Sequence, residues 1–274
     1  MSNKKIVTIQ DISCYGQCSI TVALPILSAF GFETAIVPSA ILSTHTSGFK
    51  NFTVHDLSCE IPKIINHWQN ENIKFDLLYA GYLGETKHMD LVKQMKETLL
   101  RENGIFVLDP VMGDNGKLYP AFNNEYVKEM ANLLRYSDII VPNLTEACFI
   151  TNTEYKTNYD KNYILDICNK LQNLGAKNII LTGISYENNK TGVVVFNENN
   201  YWHYEHEKIP TSFHGTGDIY TSTFIANFLK TNDMKLAAKK ACEFVVECIL
   251  NTIDDPDHKY GVKFEPVLSK FINK

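Results

Sequence analysis

Short β-branched apolar runs alternate along the chain with longer stretches whose apolar residues recur every three or four positions. The runs KIVTIQ (5–10), TAIVPSAIL (34–42), FDLLYAG (75–81), GIFVLDP (104–110), DIIVPN (138–143) and KNIILTG (177–183) have the length and near-continuous hydrophobicity of strands buried on both faces. Between them the spacing predicts helices near 18–30, 57–71, 86–102, 122–135, 144–151 and 160–174. Strand and helix repeated in this way predict an α/β fold, a mostly parallel central sheet with helices on both faces. A late pair, TGVVVFN (191–197) and YWHYEHE (201–207), is split by Glu-Asn-Asn and predicts an antiparallel hairpin at one sheet edge. Two more helices are expected at about 216–230 and 233–252. No Pro/Gly/Ser linker, low-complexity tract or repeat interrupts the pattern, so residues 1–274 are expected to form a single domain.

Composition narrows the class without naming a function. Of 274 residues, 45% are hydrophobic and 21% charged, enough apolar mass for one core without disulfide staples. A net charge of −5, spread along the chain, argues against a nucleic-acid partner. The apolar segment at 20–30 is too short to span a membrane and contains Pro25. Seven cysteines, an odd number, fit reduced thiols in a cytoplasmic protein. The pair in CYGQC (14–18) lacks a second ligand pair at zinc-site spacing, and a strand at 203–207 would send His203 and His206 to opposite faces.

In an open parallel sheet, ligands bind beyond the carboxyl ends of the strands, so the polar residues there carry the candidate chemistry. GTGD (215–218) precedes an apolar helix. Its glycines permit a tight turn and close approach of a ligand, and the free N–H groups of the helix start suit an anion such as a phosphate. Asp218 could accept the proton of a hydroxyl attacking a phosphoryl group, although an ordinary helix cap fits the same residues. In LDPVMGDNGKLYP (108–120), Asp109 ends a strand and Asp114 lies on the loop after it. That pair suits Mg²⁺ near nucleotide phosphates, or a solvated Asn-Gly turn. In VPNLTEACFI (141–150), Asn143 and Glu146 have the spacing of a capping box, which needs no ligand; the functional alternative sets them around phosphate and Mg²⁺. The hydroxyl-rich loop STHTSGF (43–49) and the glycine-flanked YAGYLG (79–84) have room and donors for a polar ring. No Walker P-loop, no G-x-G-x-x-G after the first strand and no G-x-S-x-G elbow is present.

The ordered set IQDISCYG (9–16), STHTSGF (43–49), AGYLG (80–84), DPVMGD (109–114), PNLTE (142–146), LTG (181–183) and GTGD (215–218) resembles the pyridoxal kinases of the ribokinase superfamily. The resemblance covers nearly the whole chain. It implies a ribokinase-like fold, a homodimer, and ATP-dependent phosphorylation of the 5′-hydroxymethyl group of pyridoxal, pyridoxine or pyridoxamine. Position by position, it implies Asp218 as the base and Gly215, Thr216 and Gly217 as the anion hole for the transferring phosphoryl group. Ser13, Thr46 and Tyr82, with His45 close by, would line the vitamer pocket. Asp109, Asn143, Glu146 and Thr182 would serve ATP, and Asp114 with Glu146 the Mg²⁺. Val141 stands where many relatives carry a threonine that serves a monovalent cation or phosphate. The segment at 183–192, near the expected adenine pocket, carries no residue-level assignment.

Other readings stand beside this one, among them an unrelated doubly wound domain, against which the full motif series argues. Hydroxymethylpyrimidine kinases of the same superfamily have a cysteine at the position of Asp218 and a more glycine-rich first loop. Sugar kinases show an early Gly-Gly pair that is missing here. A vitamin-binding protein without catalysis would gain little from the carboxylates Asp109, Glu146 and Asp218.

Overall fold

In the computed structural model, which describes residues 4–46, 48–258 and 260–272, the six buried runs become the middle of one nine-stranded sheet. In chain order the elements are β1 (Lys5–Ser13), α1 (Ile20–Ala29), β2 (Glu33–Leu42), β3 (Val54–Asp56), α2 (Ile61–Asn70), β4 (Phe75–Ala80) and α3 (Thr86–Leu99). There follow β5 (Leu100–Leu108), β6 (Gly113–Asp114), β7 (Lys117–Leu118), α4 (Asn124–Leu134), β8 (Ile139–Ile140), α5 (Leu144–Ile150) and α6 (Lys161–Asn173). The chain closes with β9 (Asn178–Ile184), β10 (Lys190–Asn197), β11 (Asn200–Glu207), α7 (Thr216–Thr231), α8 (Met234–Leu250) and α9 (Glu265–Phe271).

The sheet runs β11-β10-β9-β8-β5-β4-β1-β2-β3. Pairs from β2 to β9 are parallel, and the edges β3, β10 and β11 are antiparallel. The chain steps from β1 outward to β2, then returns past β1 to β4 and grows the other way, so a crevice opens between the β1 and β4 ends. Alternate residues feed two cores. Val7, Ile9, Leu78, Phe106 and Leu181 pack under α2 to α6, while Ile6, Leu77, Val107 and Ile180 pack under α1, α7 and α8. This period of two on both faces is why the strands read as unbroken apolar runs.

The architecture agrees with the sequence expectation, and several boundaries differ. The helix expected to 102 ends at Leu99, because Leu100 pairs with Phe75 of β4 and the chain turns straight into β5. The helix expected from 57 starts at Ile61, since Ser58 is held in a turn by Asp56. The strand expected over 138–143 pairs regularly only at Ile139–Ile140 before Pro142 and the Asn143 cap intervene. The hairpin turn is two residues, Glu198 and Asn199, both at positive φ, the geometry that matches strand twist. All seven cysteines are free.

α7 is buried on all sides from Ile219 to Phe228, where Thr221 reaches Asp109 and the Thr223 hydroxyl finds no partner among the described residues. Ser222, Asn227 and Thr231 return their donors to the carbonyls of Asp218, Thr223 and Asn227, each one turn back. Phe224 is fully buried in the core that α7 shares with α1 and α8. Phe224→Ala is expected to cost about 3–5 kcal/mol of unfolding free energy, read as a lower urea midpoint at unchanged m-value.

Candidate active site

The candidate base stands at the start of α7. Gly215, at φ 78, occupies the N-cap position, and no side chain caps the helix. The Thr216 hydroxyl turns back to the Phe213 carbonyl, at 3.3 Å, leaving the first-turn N–H groups for a ligand anion. A Cβ at position 215 would lie 1.7 Å from the Gln17 carbonyl oxygen, so the close approach requires glycine as firmly as the dihedral does. Asp218, partly exposed, accepts a 3.0 Å hydrogen bond from the Ser19 N–H. Burial raises its pKa to about 7; the charge of Asp11 adds to the shift and the Ser19 N–H opposes it.

Asp109 follows β5 and is buried. Its Oδ2 accepts from the Thr221 hydroxyl at 2.8 Å, one turn along α7 from Asp218. Its pKa is pushed up to about 8 by burial and then by the negative charge of Asp218, with the Thr221 hydroxyl working against both. Beyond it, β6 and β7 form a miniature hairpin turning at Asn115 and Gly116, both at positive φ. Asp114 is exposed and its Oδ1 accepts from the Asn115 N–H at 2.8 Å. α5 carries the complete capping box: Asn143 accepts from the Glu146 N–H, and Glu146 Oε2 accepts from the Asn143 N–H at 2.8 Å. Glu146 Oε1 reaches the Met112 N–H at 3.2 Å, and Asn143 Nδ2 donates to the Gly113 carbonyl at 2.9 Å. Burial, with Asp109's charge second, raises the pKa of Glu146. The cap is therefore also the brace that holds the 109–116 loop.

A cavity of about 490 Å³ gathers Asp109, Asp114, Asn143, Glu146, Thr182 and Gly215 to Asp218. The four residues expected around a vitamer lie beside this cavity, outside its lining. Ser13 donates to Asp11 Oδ2 at 2.9 Å, and the Tyr82 phenol, its pKa pushed up to about 12 by burial and by the charge of Asp11, packs its ring 5.4 Å from Phe122. His45 is buried with its ring 5.0 Å from Phe49 and 5.7 Å from His214, which does line the cavity. Thr46 is exposed on the same loop. The two groups meet through Asp11, whose charge is felt at both Tyr82 and Asp218, and through the two histidines. A second cavity, about 430 Å³ between β11, α8 and α9, contains none of these residues.

Several residues of the site escaped the sequence reading. Thr221 was findable, lying three residues after Asp218 on the same helical face. The far wall of the cavity, Cys242, Val245, Val246 and Ile249 of α8, has ordinary core spacing and gives no signal of a ligand. Gly183, Thr191 and Gly192 complete that end, within the 183–192 segment that had carried no assignment. Among the described residues, no three His, Cys, Asp or Glu side chains form a ready metal cluster.

A family model for phosphomethylpyrimidine kinase matches residues 16–262. The chain belongs to that family. Its fold is shared with a Bacteroides thetaiotaomicron protein, provisionally assigned as a phosphomethylpyrimidine kinase and solved with pyridoxal, at TM-score 0.93 and 33% identity over 100% of this chain and 96% of that one. Pyridoxal kinase from Lactobacillus plantarum superposes at TM-score 0.90 with 28% identity, covering 98% and 96% of the two chains. Among curated relatives, pyridoxal kinase of Dictyostelium discoideum is 25% identical over 272 residues, 90% of this chain and 86% of that one. The chain is thus a kinase that transfers phosphate to an alcohol, built on the ribokinase-like fold.

The raised carboxylate pKa values carry a cost. Asp109 has a folded pKa of about 8 against about 3.9 in an unfolded chain, so the native state holds more protons between these values. Its contribution to stability therefore falls as pH rises from about 4 to about 8, and the penalty is complete above that window. Asp109→Asn removes the charge and is expected to raise the Tm of the ligand-free protein by roughly 2–4 °C at pH 8, with the gain vanishing near pH 4.

Proposed function

We propose that the protein phosphorylates the 5′-hydroxymethyl group of a B6 vitamer with ATP, in salvage of pyridoxal 5′-phosphate. The observation that carries this reading is an aspartate, Asp218, at the uncapped start of a buried helix, between the carboxylate-lined cavity and the pocket residues around Asp11. A thiol at this position would be a different base in a different setting. The aspartate, together with the pyridoxal kinases among the relatives, favours the vitamer over the hydroxymethylpyrimidine of the family's name.

In this reading Ser13, His45, Thr46 and Tyr82 receive the pyridine ring and point its hydroxymethyl arm toward Asp218. The carboxylate, with a pKa near neutrality, takes the hydroxyl proton as the oxygen attacks the γ-phosphorus. The bond from that phosphorus to the bridging oxygen breaks and ADP leaves. The N–H groups of Thr216 and Gly217, at the positive end of the α7 dipole, oppose the charge on the transferring group. Asp109, Asn143, Glu146 and Thr182 serve the nucleotide phosphates, and the purine lies toward Gly183, Gly192 and the α8 wall.

Mg²⁺ enters with the nucleotide. Asp109 and Glu146 are buried carboxylates, the charge of Asp109 raising the pKa of Glu146 and that of Asp218 raising the pKa of Asp109, a donor set that a divalent cation would relieve, and Asp114 stands at its outer side. When bound, the ion would neutralise phosphate charge. A monovalent cation beside the phosphates, a homodimer and a cytoplasmic location complete the reading. No described helix is long and apolar enough to cross a membrane.

The deciding experiment offers Mg·ATP with pyridoxal, pyridoxine, pyridoxamine and hydroxymethylpyrimidine in parallel and follows phosphorylated product. Turnover on the pyrimidine alone would overturn the reading. Asp218→Asn is expected to lower kcat by about 10³-fold or more while ATP affinity stays within about threefold; a loss below tenfold would remove Asp218 as the base. In the wild-type protein, kcat/KM for the vitamer is expected to rise with pH through about 7 as Asp218 ionises.

A further inference from the structure

The loop between β1 and α1, Cys14 to Ser19, does more than connect two elements. Ser19 has φ 51 and ψ −133, a conformation that L residues seldom adopt, and is buried. Its N–H is the group that reaches Asp218 Oδ2 at 3.0 Å. The titratable groups whose charge interacts with Asp218 are Asp11, Asp109, Cys18, Tyr79 and Tyr119, all of which are neutral or negative. Each disfavours a carboxylate at 218 when it ionises. The Ser19 N–H favours one.

The strained turn is held from both sides. Thr21 donates its hydroxyl to the Gly16 and Cys18 carbonyls, at 3.0 and 2.7 Å. Gln17 donates its backbone N–H to the Tyr260 carbonyl at 2.8 Å and its side-chain amide to Glu265 at 2.8 Å. Two glycines make room for it: a Cβ on Gly215 would lie 1.7 Å from the Gln17 oxygen, and one on Gly261 would lie 2.4 Å from the Gln17 Cβ. Gly261, at φ 131, belongs to the segment between α8 and α9, which is pinned by buried Val262 and Phe264 and by the Lys263 N–H on Thr252. Gln17 is thus wedged between the anion-hole glycine and a segment remote in sequence from any site motif.

We propose that Ser19 and Gln17 are positioning residues for catalysis: the clamp of Gln17 between Gly215 and Gly261 holds the Ser19 N–H on the Asp218 carboxylate. This rests on Asp218 being the base. The C-terminal segment acts on the reaction through this contact, with no residue of its own at the substrate.

The test is the pH profile of kcat/KM for the vitamer, with Mg·ATP saturating, in Gly261→Ala, Gln17→Gly and the double variant. Gly261→Ala drives a methyl group into Gln17. It is expected to lower kcat at pH 7 at least tenfold, to leave KM for ATP within about twofold, and to move the acid limb to higher pH, since Asp218 loses the donor that stabilises its anion. Gln17→Gly removes the Cβ that is struck and loosens the clamp; a smaller fall in kcat and the same direction of shift are expected. The double variant should recover part of the loss in Gly261→Ala, since the struck Cβ is gone while alanine at φ 131 keeps its own strain. A variant that merely unsettled the fold would not move the acid limb, and Gln17→Gly carries the test if Gly261→Ala does not fold.

Acid limbs that stay at the wild-type pH would overturn the proposal, as would a double variant that recovers none of the loss in Gly261→Ala. Adding Gly261→Ala to Asp218→Asn separates the two readings. If Asp218→Asn alone is nearly inert and Gly261→Ala costs it nothing more, both stand. If Asp218→Asn is still active, the base assignment fails first; if it is inert while Gly261→Ala is normal, only the positioning role fails.

Discussion

The constraint on which the site depends is the crowding of four carboxylates, Asp11, Asp109, Glu146 and Asp218, at the carboxyl ends of the central strands. Each has its pKa raised chiefly by burial. What meets them is a set of neutral donors: hydroxyls of Ser13 and Thr221, and the backbone N–H groups of Ser19, Met112 and Asn143. Neutral donors orient a carboxylate without cancelling its charge. The site therefore keeps an unspent affinity for a cation and for a proton, and a phosphoryl-transfer site needs both.

The fold brings these groups together by reversing direction beside β1. Asp11 and Ser13 come from β1, Asp109 from the end of β5, Glu146 from α5, and Asp218 and Thr221 from α7, which is packed on α1 across the sheet face. α7 is the element that makes the arrangement work. Its apolar residues bury it, and Ser222, Asn227 and Thr231 close on its own carbonyls while Thr221 reaches Asp109, so the helix tolerates burial while its first turn stays uncapped. One helix start thus supplies a turn, an uncapped N-terminus and an aspartate, and Thr221 reaches the next carboxylate from the same face.

Much of this was legible because it follows from periodicity. Strands buried on both faces announce themselves as apolar runs, and the strand-end positions of Asp109, Asn143, Glu146 and Thr182 followed from them. β3, β6 and β7 were not legible, since two or three residues hold no period. The end of α3 was misplaced because helical spacing continues past Leu99 while the pairing of Leu100 with Phe75 decides the matter. The α8 wall of the cavity reads as core whether or not a ligand covers it. Ser19 is the clearest case: nothing in a serine foretells φ 51, and its contribution is a backbone N–H that any residue but proline would carry.

That last case bears on how such a site tolerates sequence change. A side-chain donor to Asp218 would bind the site to one residue type, whereas a backbone donor binds it to a geometry. The geometry is enforced by Gly215 and Gly261, where any side chain would strike Gln17, and by a dihedral at Ser19 that costs about 1–3 kcal/mol to hold. Strain of that size persists only where surrounding contacts over-determine it, and here they come from three separated parts of the chain: the β1–α1 loop, the start of α7 and the segment before α9. The same three parts surround Asp218, the proposed base. The stability given up at Ser19 and in the crowded carboxylates is what holding these groups in one fixed array costs this fold.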